Sequence, residues 1–182
     1  MAQKEVITKM TLKHAKLYEQ ELGKLAAEVL TEDKYKYFNV GYMALPDIDK
    51  DEWNNIQFVS YTDRVIGYIS ASAGRTHNII TNMQVWSAAS TYYEYRVFER
   101  DLLDFFIYLL KRFDLIEWTV VTENPVKKKY RKFVETVGGG IVGTIHSRYR
   151  IHRKRMDAEM YELLPSDEVI EKVKQLRDRI KV

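Results

Sequence analysis

The sequence predicts an α/β fold of the α+β mixed-sheet kind, one sheet with helices on both faces. Three observations predict it. Residues 56–86 hold three alternating runs joined by short polar turns, which suggests an antiparallel meander. The strongest helix signal, 95–113, follows directly. Strands and helices then alternate only in part, in the order β-α-(short α)-β-β-β-α-β-α-β-β-α, as a mixed sheet requires.

Each element has a local reason. Residues 5–10 alternate weakly and predict a short first strand. Thr11 suits a cap for a helix over 12–30, with Leu12, Ala15, Leu22, Leu25, Ala26 and Val29 as its core stripe. A short helix is expected over 47–55, after the turn at Leu45-Pro46. Strands follow at 56–62, 65–71 and 78–86, the last with Ile79, Thr81, Met83 and Val85 on one face. In the long helix Phe98, Leu102, Phe105, Leu109 and Phe113 line one face, which Leu103, Phe106, Ile107 and Leu110 widen. A β-branched and aromatic strand comes next at 115–122. Asn124 and Pro125 suit the cap and first turn of a helix that ends at Gly138. Residues 140–151 and 156–163 read as a paired ribbon. Pro165-Ser166-Asp167 opens a last helix with Val169, Val173, Leu176 and Ile180 at core spacing.

The chain has 182 residues and no cysteine, which excludes disulfides and cysteine-based zinc sites. The opening stretch MAQKEVITKM lacks an apolar core of signal-peptide length, and no apolar run is long enough to cross a bilayer. The expectation is a soluble, cytoplasmic protein. The net charge is +3, unevenly spread. Residues 127–155 hold ten basic residues against one acid, Glu135, so this segment carries +9 and the rest −6. Such asymmetry attracts anionic groups, yet it also describes a solvated helix face and a strand edge guarded by lysines. The four histidines are scattered without metal-ligand spacing, so no metal is expected.

Three stretches in this order resemble the GNAT superfamily of acyl-CoA-dependent N-acetyltransferases. "VIGYISA" at 65–71 is similar to its third strand. "VVTENPVKKKYRKFVETVGGGIVGT" at 120–144 is similar to its fifth strand, the Asn-led helix and the glycine-ended turn into the sixth. "DAEMYELL" at 157–164 is similar to its closing strand. The resemblance covers roughly 6–164 and divides the chain into a GNAT-like domain at 1–164 and a C-terminal helical extension at 165–182. It implies that the fourth and fifth strands splay around the pantetheine arm of acetyl-CoA. It implies Met83, Gln84, Val85, Arg96, Arg100 and Asn124 as cofactor-binding candidates, Tyr130 as the acid that protonates the leaving thiolate, and Glu117 as the nearest carboxylate for the base. A water-relayed base is equally open. Tyr130 lies about one helical turn before the position near Val134 that the family pattern favours.

The family's pyrophosphate turn is rich in glycine, and residues 87–106 contain none. Glu99 falls on an expected glycine position in either plausible register. Side chains there hinder backbone approach to phosphate, and a carboxylate repels it. The competing reading is that Glu99 and Asp101 complement the helix dipole in its first turns. Two functions therefore stand side by side. One is an N-acetyltransferase moving an acetyl group from acetyl-CoA to a small-molecule or protein amine. The other is a catalytically inactive GNAT-fold binding or assembly module, with self-association or a protein partner on the C-terminal helix. Nucleic acid ranks last, because the basic segment carries no recognised binding motif.

Overall fold

The computed structural model describes residues 12–31, 37, 54–151 and 153–182. The strand expected at 5–10 lies outside them, as does most of the helix expected at 47–55. The two described residues of that helix, Asn54 and Asn55, are a turn and the first residue of a strand.

Seven strands form one sheet in the order β1-β2-β3-β4-β5-β7-β6. They are β1 Leu12–His14, β2 Asn55–Tyr61, β3 Val65–Gly74, β4 Ile79–Ser87, β5 Leu115–Val121, β6 Gly140–Ile151 and β7 Lys154–Leu163. The helices are α1 Glu19–Thr31, α2 Tyr92–Leu110, α3 Lys127–Val137 and α4 Asp167–Asp178. The mixed-sheet expectation holds, and the described elements come in the expected order. Every neighbouring pair is antiparallel except β4 and β5, which run parallel.

The start of the first helix is corrected. Leu12–His14 is a strand, then a 3-10 turn spans Ala15–Tyr18, and α1 begins only at Glu19. The edge of β2 offers Leu12–His14 a backbone ladder at Phe58–Ser60, and tertiary pairing overrides helix propensity there. Ala15, Leu22, Leu25 and Ala26 do face a core, packed with Val59, Val65, Tyr68 and Trp86 on one side of the sheet.

The other side is covered by α2. Val97, Phe98, Phe105, Phe106 and Leu109 bury against Ile69, Ile80, Ile116, Trp118 and Tyr161. Each fully buried apolar side chain of this size contributes about 1.5–3 kcal/mol. The helix α3 lies on the same side, with Val134 and Val137 buried, and α4 packs against α2. The stripe of α4 is used within the chain: Val169 and Val173 join this core, with Ile170 and Leu176 against it, and Arg177 bonds Asp104 of α2 at 2.9 Å.

A bulge corrects the facing of β4. The ladder to β3 steps from Ala73–Ile80 to Ser72–Asn82 and skips Thr81. Ile80, rather than Ile79 and Thr81, therefore shares the buried face of Met83 and Val85, and Thr81 is exposed.

Gly67 explains the glycine in "VIGYISA". A Cβ there would overlap the ring of Phe98 and stand 2.8 Å from the carbonyl oxygen of Trp86. The absent side chain lets α2 approach the sheet. We expect G67A to lose about 1–3 kcal/mol in urea unfolding, through displacement of Phe98. A variant as stable as the parent would contradict the close packing.

Candidate active site

The parallel ladder between β4 and β5 is two residues long, Ile79–Leu115 and Ile80–Ile116. Beyond it the strands part, so residues 81–87 and 117–121 have no ladder partner in each other. The strands on either side hold their other edges: β3 pairs β4 to Ser87, and β7 pairs β5 to Val121. The backbone edges that face each other across this gap are not joined by a ladder.

Tyr130 stands over β5 and β7 on the α2 face. Its ring lies 5.8 Å from Trp118 and 6.1 Å from Tyr161, and packs on the core that includes Met83, Val85 and Val120. Burial raises the pKa of its hydroxyl, so the group is protonated at neutral pH. No described residue hydrogen-bonds that hydroxyl. Trp118 keeps a buried Nε1 without an acceptor, at a cost of about 1–3 kcal/mol.

Two residues that sequence reasoning did not single out hold α3 in place. Glu159 of β7 is 2% exposed. It accepts both arms of the Arg131 guanidinium, with Nε at 2.8 Å, and the hydroxyl of Tyr161. The Arg131 hydrogen bond leads in holding the Glu159 pKa below the carboxylate range, against the effect of burial. A buried carboxylate without its partner is strongly destabilising, so this pair clamps the helix one residue from Tyr130. The pair lies 28 residues apart in the chain and has no local signature.

Glu117 comes from the other face of the sheet. It alternates with Trp118 along β5, is half-buried, and sits across the ladder from Glu162. Gln84 shares that face, opposite Ser70. Glu117 and Tyr130 thus lie on opposite faces of the sheet. Met83 and Val85 are on the Tyr130 side. Asn124 shapes the turn into α3: its Oδ1 accepts from the amide of Val126 at 3.1 Å, and its carbonyl from Lys127 at 3.0 Å. The helix starts at Lys127 with Val126 as cap residue, two positions later than Asn124-Pro125 suggested, and Gly138 ends it at φ 90° as expected. Lys128, Lys129 and Lys132 are exposed.

The start of α2 is also corrected, from residue 95 to Tyr92. Thr91 and Glu94 form a reciprocal capping box, a Thr-x-x-Glu signature legible in the sequence. Arg96 and Arg100 consequently lie in the second and third turns. Arg96 bonds Glu99 at 3.2 Å and keeps a buried Nε without acceptor. The acids expected to complement the first turns do other work. Glu99 pairs with Arg96 and with Lys129 of α3, and the buried Asp101 accepts from the Ser60 hydroxyl.

Glu94 is the acid at the helix start. It is 7% exposed. Its Oε2 accepts from the amides of Ser90 at 2.7 Å and Thr91 at 3.2 Å and from the Ser90 hydroxyl at 2.9 Å. Arg64 closes the cluster at 3.1 Å and is itself tied to the carbonyl of Ala88 at 3.0 Å. Burial would raise the Glu94 pKa, but the Ser90 amide and hydroxyl, Arg64 and the Thr91 amide outweigh it and bring it to about 2. The carboxylate is thus ionised in the anion position of the helix N-terminus. A phosphate oxygen about 4 Å from it would meet roughly 1 kcal/mol of repulsion in water and about 4 kcal/mol at an effective dielectric of 20. A diphosphate at this helix start would therefore meet a carboxylate already held there.

Because the folded pKa of Glu94 lies below its ordinary value, its stabilisation is full above about pH 4.5 and is lost as pH falls towards about 2. Denaturant unfolding from pH 7 to pH 3 should show E94Q less stable by about 1–2 kcal/mol at pH 7, with the difference shrinking in acid. A pH-independent difference would refute the ionised cap.

No protein-family model matches the chain, and a comparison with curated protein sequences likewise finds no match. Solved structures do match. Spermidine N-acetyltransferase from Vibrio cholerae, in complex with CoA and spermine, shares 17% identity at a TM-score of 0.63 over 87% of this chain and 97% of that one. An N-acetyltransferase from Staphylococcus aureus Mu50 shares 16% at 0.59 over 80% and 90%. Microcin C7 self-immunity acetyltransferase MccE, in complex with acetyl-CoA and AMP, shares 12% at 0.60 over 81% and 87%. The parted parallel strands, the order of the sheet and these likenesses together show that the chain has the GNAT acetyltransferase fold.

Proposed function

We propose that this chain is an N-acyltransferase that moves an acetyl group from a pantetheine thioester, acetyl-CoA in the first instance, to an amine. The observation that carries the reading is the early parting of β4 and β5, with Tyr130 packed on Trp118 of β5. The complexes of the similar structures with CoA and acetyl-CoA support the same donor class.

The donor supplies the acyl carbon and a thiolate leaving group. Along Met83, Gln84 and Val85, alternate residues turn their backbone groups from β3 to the gap, and that edge of β4 is the one on offer to the arm. Glu117, directly or through one water, takes a proton from the acceptor ammonium on the α1 face. The amine nitrogen then bonds the acyl carbon and sheds its second proton to water as the carbon–sulfur bond breaks. Tyr130, kept protonated by burial, gives its proton to the sulfur and recovers one from solvent. Arg131 and Glu159 keep α3, and with it Tyr130, in register with the gap.

Calorimetric titration with acetyl-CoA tests the donor, and thiol release in the presence of an amine panel tests the reaction. We expect Y130F to lower kcat about 10²-fold with KM within about threefold, as for loss of a general acid. Absence of binding at millimolar ligand would sink the reading and leave the non-catalytic binding module.

A further inference from the structure

We propose that this chain reads its acyl donor through the pantetheine arm and not through a nucleotide diphosphate, so that a thioester of pantetheine alone is as good a ligand as the matching coenzyme A ester. The proposal rests on the acyl-transfer reading above and names the part of the donor that the site recognises.

The observation is the fate of the amides between β4 and α2. That of Ala88 donates to the carbonyl of Ile66 at 2.8 Å, and that of Ala89 to the Ser87 hydroxyl at 3.4 Å. Those of Ser90 and Thr91 donate to Glu94, and that of Glu94 donates back to the Thr91 hydroxyl at 3.2 Å. The chain has thus supplied its own anion to its own helix N-terminus. The cation best placed to join a phosphate, Arg64, is committed to the same carboxylate and to the Ala88 carbonyl. Arg96 and Lys129 are shared with Glu99. Ala88 and Ala89 are buried, with side chains where glycine would let a ligand reach the backbone. Around the first turn Tyr92, Tyr93 and Tyr95 stand out into solvent.

At the other end of the donor, β4 and β5 part after two ladder pairs. The space between the two strand edges is matched in form to the extended, uncharged pantetheine arm, and Met83 and Val85 bring apolar side chains to one side of it. Recognition is therefore concentrated on the part of the donor that every pantetheine thioester has in common.

The test is calorimetric titration of the full chain with S-acetyl-CoA and with S-acetyl-pantetheine, each with and without millimolar inorganic pyrophosphate. We expect the two affinities to agree within about threefold and pyrophosphate to leave both unchanged. In E94A, which vacates the amides, acetyl-CoA should become favoured by about tenfold and pyrophosphate should compete with it. A wild-type preference of tenfold or more for acetyl-CoA, abolished by pyrophosphate, overturns the proposal and leaves acyl transfer standing. Binding of neither thioester overturns the acyl-transfer reading and this proposal with it. The wild-type comparison decides without the variant, so a poorly folding E94A does not blunt the test.

Discussion

The seating of α2 on the sheet is the contact on which the rest of the molecule depends. Phe98 lies against the bare backbone of Gly67, and Phe105, Phe106 and Leu109 fill the core behind it. Once α2 is seated, α4 has a surface to bury Val169 and Val173, and Phe106 has its contacts with Phe133 of α3 and with Trp118 of β5. The gap between β4 and β5 is closed off on one side by this layer. A shift of α2 would alter the packing behind Trp118 and thereby the surroundings of Tyr130.

Two ion pairs then fix the helix ends nearest the gap, and they differ in kind. Arg64 and Glu94 lock the start of α2 through a carboxylate that also satisfies backbone amides. Arg131 and Glu159 lock the start of α3 onto β7. Each contains a carboxylate too buried to stay charged alone, so each holds its geometry by the cost of losing the partner. The first removes an anion site that the fold otherwise offers. The second steadies a catalytic candidate without touching the gap itself. The same physics of buried charge occupies the N-terminus of one helix and anchors the other to the sheet.

The positions of Glu117 and Tyr130 on opposite faces follow from strand alternation, since Glu117 precedes the inward-facing Trp118. Sequence alternation alone left that facing open, because β5 is covered on one side and partly exposed on the other. The ladder with β7 decides it by placing Trp118 beside Tyr161, where the two rings stack at 5.4 Å. The bulge at Thr81 reassigned the start of β4 in the same way: one skipped residue put Ile80, in place of Ile79 and Thr81, on the face of Met83 and Val85. The basic residues of α3 resolve into one structural cation, Arg131, and a solvated row of lysines. Summed charge could not make that division.

By itself the sequence determined the element order, the apolar face of α2, the glycine stop of α3 and the absence of a glycine-rich turn after β4, because each is written in residues a few positions apart. It also contained the capping box that sets the start of α2, in the spacing of Thr91 and Glu94. Only the tertiary structure decided that Leu12–His14 would be a strand, that β4 and β5 part after two pairs, and that Trp118 would keep an orphan donor beside Tyr130. These outcomes depend on what lies across the sheet, tens of residues away in the chain. The reason is the same in each case. Local propensity is worth tenths of a kcal/mol per residue, whereas a ladder partner, a buried ring or a buried charge is worth about one to several.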